Sequence, residues 1–123
     1  MKLELKEDFI VAEEGTRYAL PNYRIVEGKG LEKIKEDDPN FYTDQYIEFV
    51  RGSKDKEDGV DEKVGTLHEH LLAMMIHDLK YKNQLVPSRE GELIIEKLQE
   101  ALGWLRQRQV DRTKRKVVGT YNE

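Results

Sequence analysis

The segment WLRQRQVDRTKRK, Trp104 to Lys116, carries four arginines, two lysines and one aspartate in a 123-residue chain whose formal net charge is −4. Guanidinium groups grip phosphate or carboxylate through paired, charge-assisted hydrogen bonds, so the chemistry on offer is anion binding. At 100° per residue, Ile94, Leu98, Ala101 and Leu105 form one helical stripe, and its continuation meets Arg108, Arg112 and Arg115. A face that begins apolar therefore ends in guanidinium groups, as a pocket closed by arginines at the edge of a packed interface would require. A helix that outlasts its partner and ends in water would show the same residues, because cations suit a helix C-terminus. Asp111 stands at helical spacing from Arg108 and Arg115, within salt-bridge reach of both.

Tyr81 is the second residue of interest. It falls at the end of a preceding helical pattern, on the flank of Met74, His77 and Asp78. Such a tyrosine is ordinarily core with a wet hydroxyl, but its ring is also a stacking surface for a base. In one helical hairpin it would lie near Ser88, roughly 28 Å from Arg108 at 1.5 Å per residue. The two meet at one ligand only if a second chain runs antiparallel to the first. A shared pocket thus demands an oligomer.

Other chemistry is poorly supported. "HEH" at 68–70 is not a helical zinc motif, since its histidines point about 200° apart on a helix. His70 and His77 share a face but bring no third ligand. "HD" at 77–78 is shared with metal phosphohydrolases, which need further ligands that this chain lacks. "GKG" at 28–30 is not a phosphate loop before a helix. No nucleophile–base–acid arrangement or carboxylate pair emerges, so neither catalysis, a metal nor a cofactor is expected.

The elements that must position these residues fall into two halves. Residues 9–51 read as β-rich, with short apolar runs broken by Gly15, Pro21, Gly28 and Gly30, and with Tyr46, Glu48 and Val50 alternating against Ile47 and Phe49. "RGSKDKEDGVDEK" is too charged to pack and reads as the joint. From residue 66 the period turns helical: Thr66 and Glu69 suggest a capping box, with Leu72, Met75, Ile76 and Leu79 on one side. "NQLVP" closes that helix, Ser88 caps a second, and the short link makes an antiparallel hairpin. The expectation is an α+β fold, with a small antiparallel β-subdomain at 1–58 and a long helical hairpin at 59–123.

Composition adds limits. Charged and hydrophobic residues each make up 37% of the chain, which leaves a modest core and favours burial against other copies. Cysteine is absent, so disulfides and thiolate metal sites are excluded and a reducing cytosol is expected. Neither a signal peptide nor a membrane span is expected. Net acidity disfavours a general nucleic-acid coat, although an adaptor that sets the basic helix end on RNA or DNA is the alternative reading.

The hairpin sequence SREGELIIEKLQEALGWLRQRQVDRTKRKVVGTYNE resembles the C-terminal signature of the phage Thoeris anti-defence sponge family, which is shared with hairpin-containing anti-CBASS sponges. The resemblance covers residues 64–121 and is carried by "LQEALGWL", the step from Arg108 to Arg112, "DRTKR" and the terminal "GT". It implies a phage protein acting in the cytoplasm of an infected bacterium. Such a protein binds cyclic nucleotide immune signals without cleaving them: glycocyclic ADP-ribose of Thoeris, and in hexameric members cyclic trinucleotides in separate pockets. It implies interlocked hairpins and a homo-oligomer, with a hexamer expected over a dimer. By position, the family's phosphate-holding arginines match Arg108 and Arg112, and its aromatic ring matches Tyr81. Its polar residue near the start of the second helix falls on Gly91, a departure that removes a side chain. Arg24, among Tyr18, Tyr23 and Gly28, is the candidate for a second pocket.

Overall fold

The computed structural model describes residue 5, residues 8–52 and residues 62–114. It has the α+β order expected: five short strands, then two helices. Two compact units are present, Met1–Phe49 and Val50–Glu123. The expected division at 58/59 falls among residues outside the described ones.

In the first unit, β1 (Ile10–Glu13), β2 (Arg17–Pro21) and β5 (Asp44–Glu48) form an antiparallel sheet in the order β1-β2-β5. β3 (Tyr23–Val26) and β4 (Gly30–Lys33) form a separate two-stranded hairpin. Its turn needs the left-handed backbone that glycine adopts without strain, at Gly28 (φ 82°) and Gly30 (φ 88°). Along β5 the alternation read from sequence appears: Ile47 is half-buried while Tyr46 and Glu48 are exposed. Arg17 stands opposite Glu48 in register and lies 4.0 Å over the Tyr46 ring, so a cation and an aromatic close the outer face. Tyr18 packs edge-on to Phe9 at 5.7 Å and to Phe49 at 6.0 Å. The apolar interior is thin, with only Ala19 and Ile34 buried among its described hydrophobics.

The second unit begins where Val50 N–H donates to Thr66 O at 3.0 Å and Arg51 and Lys63 exchange backbone bonds at 3.0 and 3.1 Å. This pairing overturns the capping box. Thr66 is held extended, and α1 (His68–Leu85) starts from Leu67, whose side chain caps nothing. Glu69 therefore sits one position too early to reach back to a cap. α1 stops at Val86, whose N–H donates to Lys82 O at 3.0 Å, and Pro87 cannot continue it. Ser88 caps α2 (Arg89–Lys114) as expected, its Oγ accepting Gly91 N–H at 2.9 Å. With 26 residues, α2 runs about 39 Å.

The hairpin core is Ile76, Ile95 and Leu102, flanked by Leu72, Ala73, Leu79 and Leu98. The expected seam of Ile94, Leu98, Ala101 and Leu105 is thus corrected. Ile94 is 48% exposed and Ala101 is exposed, whereas the inward line runs Gly91, Ile95, Leu98, Leu102, Leu105, Gln109, Arg112. That line steps by four and three in turn, the repeat of helices packed side by side. The expected stripe straddled two faces because α2 is apolar on both.

Candidate ligand-binding site

The rotation of α2 separates the two arginines. Arg112 lies on the inward line and is half-buried, while Arg108 is exposed. Among the described residues, Arg108 forms no ion pair with Asp111. Asp111 Oδ1 instead accepts a hydrogen bond from Gln107 Nε2 at 3.1 Å. Arg115, and with it the bond expected from Asp111, lies outside the described residues. Arg112 and Lys114 occupy the last turn, and Glu90 and Glu92 the first; each pair favours the local end of the helix dipole.

Tyr81 is 57% exposed, on the side of α1 away from Ile76 and Leu79. Its separation from Arg108 is shorter than expected, though still too long for one small ligand. A shallow hollow at the open end of the hairpin is lined by Glu69 together with Arg106, Gln109 and Val110. From that level to Tyr81, α1 advances roughly 18 Å. One chain alone does not bring Tyr81 and Arg108 together.

Gly91 has a physical reason. A Cβ there would overlap Asn83 Oδ1 and lie 2.9 Å from both Asn83 Cγ and Ser88 Oγ. The carboxamide of Asn83, from α1, fills that notch, and its Oδ1 accepts Ser88 N–H at 3.1 Å. A carboxamide from the facing helix thus occupies the space beside position 91. Sequence reasoning missed Asn83, although its amide four residues before Pro87 is a common way to hold a turn.

The second face of α2 was also missed. Glu90, Ile94, Lys97, Ala101, Trp104 and Arg108 follow one another by four and three, and all six are exposed. Trp104 is 70% exposed. At 100° per residue in an antiparallel pair, this line lies on the same side of the hairpin as Leu71 and Met75 of α1. The hollow containing Glu69 and Arg106 lies on the opposite side, as the same construction requires.

In the β unit, Arg24 Nη1 donates to Asp38 Oδ2 at 3.1 Å. Asp38 Oδ1 also accepts the N–H groups of Asn40 and Phe41 at 2.8 and 3.1 Å. Arg24 lines a hollow of about 270 Å³ with Tyr23, Phe41 and Tyr42. Tyr18 is not among its walls; its hydroxyl accepts Gly15 N–H at 2.9 Å. Among the described residues, no group of three acidic or histidine side chains is placed to hold a metal ion, and no helix is long and apolar enough to cross a membrane.

No family model matches the chain. It is similar to Thoeris anti-defense 1 of Bacillus phage SBSphiJ7, with 42% identity over 60 residues. That likeness supports assignment to the Thoeris anti-defence family. The matched part is 48% of this chain and 42% of the relative, so the chain spans under half the length of the family member it matches.

Proposed function

We propose that the chain is a phage anti-Thoeris protein that binds glycocyclic ADP-ribose and withholds it, uncleaved, in the cytoplasm of the infected bacterium. The observation that carries this reading is the exposed line Glu90–Ile94–Lys97–Ala101–Trp104–Arg108. Reversed and laid against itself, the line matches Glu90 with Arg108, Ile94 with Trp104, and Lys97 with Ala101. A two-fold pair of antiparallel α2 helices therefore sets opposite charges at both ends, Ile94 against Trp104 inside them, and Lys97 beside Ala101 at the centre. The same pairing carries Arg108 and Arg112 of one chain to the turn end of the other, where Tyr81 stands.

Two guanidinium groups are then brought to the level of the Tyr81 ring, a fit for a diphosphate joined to a base. Ligand displaces the Glu90 carboxylate from Arg108, exchanging one anion for a more highly charged one. The thin interiors of both units support an assembly of several copies, and a hexamer built from three such pairs is the form proposed. Withholding a signal needs affinity rather than turnover: about −12 kcal/mol corresponds to a nanomolar constant.

The hollow at Arg24 is the proposed seat of a cyclic trinucleotide signal of CBASS. Three aromatic rings and an arginine held by Asp38 supply stacking and phosphate contact there.

The test is to mix the protein with glycocyclic ADP-ribose, remove free ligand by filtration, and denature the retained protein. Intact ligand released only after denaturation is expected. Ligand returned as a cleaved product would make the protein an enzyme. Ligand that passes the filter, with RNA or DNA retained in a steeply salt-dependent manner, would move the basic helix end to nucleic-acid binding.

A further inference from the structure

We infer that Asp38 is the positioning residue of the Arg24 hollow: one carboxylate oxygen holds the guanidinium, and the other holds the loop that carries Phe41 and Tyr42. The inference rests on the trinucleotide seat proposed above and adds to it the group that presents cation and rings as one unit.

Three observations converge on it. Glu32 stands opposite Arg24 in the β3–β4 register, yet among the described residues Arg24 pairs with Asp38, at 3.1 Å, and not with Glu32. The guanidinium is thus drawn away from its own hairpin toward the loop that walls the hollow. Asp38 is also the sheltered member of the pair, its side chain 13% exposed against 51% for Arg24. Its Oδ2 accepts from Arg24 Nη1, and its Oδ1 accepts the N–H groups of Asn40 and Phe41. Among the described residues no other acceptor takes the guanidinium, so the rest of its donor fork is open to phosphate. Finally, the loop is tied at its far end by Asn22, whose Nδ2 donates to Tyr42 O at 3.0 Å and whose N–H donates to Thr43 O at 2.8 Å. Asn22 Oδ1 is itself held by Gln45 Nε2 at 2.9 Å. The loop backbone is therefore fixed at both ends, while the Tyr42 ring on it is 87% exposed. A fixed backbone carrying an uncovered ring is a stacking platform with little ordering left to do on binding. By charge alone a carboxylate repels phosphate, so what Asp38 adds to the hollow is orientation.

The sign of one substitution tests this, with cyclic triadenylate as the probe. Asp38→Asn keeps an oxygen for the Asn40 and Phe41 N–H groups and removes the charge that holds Arg24. Losing a negative charge near phosphate would by itself tighten binding. Losing the hold on Arg24 should instead raise the dissociation constant by about tenfold or more. Glu32→Gln is the control: it removes a neighbouring carboxylate that does not hold Arg24, and should bind as well as the parent or better. In an Arg24→Ala background, titrated at higher concentration, Asp38→Asn should change the constant by less than about twofold, because Asp38 acts through the guanidinium. A loop merely loosened by the substitution would cost as much without Arg24 as with it. Parent-like or tighter binding by Asp38→Asn, or an equal loss in both backgrounds, would overturn the inference while the hollow keeps its ligand. A parent that fails to retain cyclic triadenylate would instead remove the ligand from the hollow, and the role of Asp38 with it.

Discussion

Arg108 and Arg112 stand one helical turn apart, yet they meet different surroundings. Arg112 continues the packed line of α2 and is half-buried, while Arg108 is exposed beside Trp104. Their substitutions should therefore differ in kind. Arg112→Ala removes packing as well as charge, and titration should find binding lost together with a small fall in melting temperature. Arg108→Ala should leave the melting temperature of the hairpin itself unchanged and raise the dissociation constant for glycocyclic ADP-ribose by ten- to a hundredfold, as about 2 kcal/mol for a charge-assisted bond implies. For Tyr81→Ala the same titration should show a loss of about 1–3 kcal/mol if the ring stacks on the base; an unchanged constant would return Tyr81 to a structural role. At this scale the arginine cluster was visible in the sequence as a candidate anion site, although a helix C-terminus favours the same residues. Their orientation was not. Nor was Asn83, whose importance comes from a glycine eight positions later that only the folded turn brings against it.

Helix starts and helix faces form the next scale. Ser88→Ala deletes the acceptor of Gly91 N–H, and thermal unfolding should record a loss of about 1 kcal/mol. The start of α2 was readable because serine after proline signals its own role locally. The start of α1 was not: Thr66 and Glu69 have the right spacing for a capping box, but Thr66 is taken by backbone pairing with Val50, a contact sixteen residues away in sequence. The face of α2 was misjudged for a related reason. Periodicity reports that a helix has an apolar side, and here two such sides lie close together, with Leu98 and Leu105 on one and Ile94 and Ala101 on the other. Only the positions of Ile76 and Leu79 on α1 decide between them. The exposed side carries its own prediction. Glu90→Arg or Arg108→Glu alone should weaken self-association in analytical ultracentrifugation, since each sets like charges together in the antiparallel pair. Combining them should restore association while ligand binding stays lost, because Arg108 is still absent. A double variant as dissociated as the singles would reject this register.

The whole chain has more apolar residues than its own fold consumes. Trp104, Ile94, Ile25, Leu31 and Tyr42 are all at least 48% exposed, and no described side chain is completely buried. Patches of this kind mark surfaces that other molecules cover. Fold class was legible at this scale, since alternation in the first half and a period near 3.6 in the second are separate signals. The proposed site was legible only as a demand for a second chain, because roughly 18 Å along α1 still separates Tyr81 from the level of Arg108.

That demand has a direct test. Arg112→Ala and Tyr81→Ala chains, each weakened or lost in binding alone, are unfolded together, refolded as a mixture, and titrated with glycocyclic ADP-ribose. A site assembled from two chains pairs the intact Tyr81 of one variant with the intact Arg112 of the other, so the mixture should recover tight binding at about a quarter of the parental sites in two-fold pairs. A mixture that binds no better than its separate components, while forming mixed oligomers, would contradict the account.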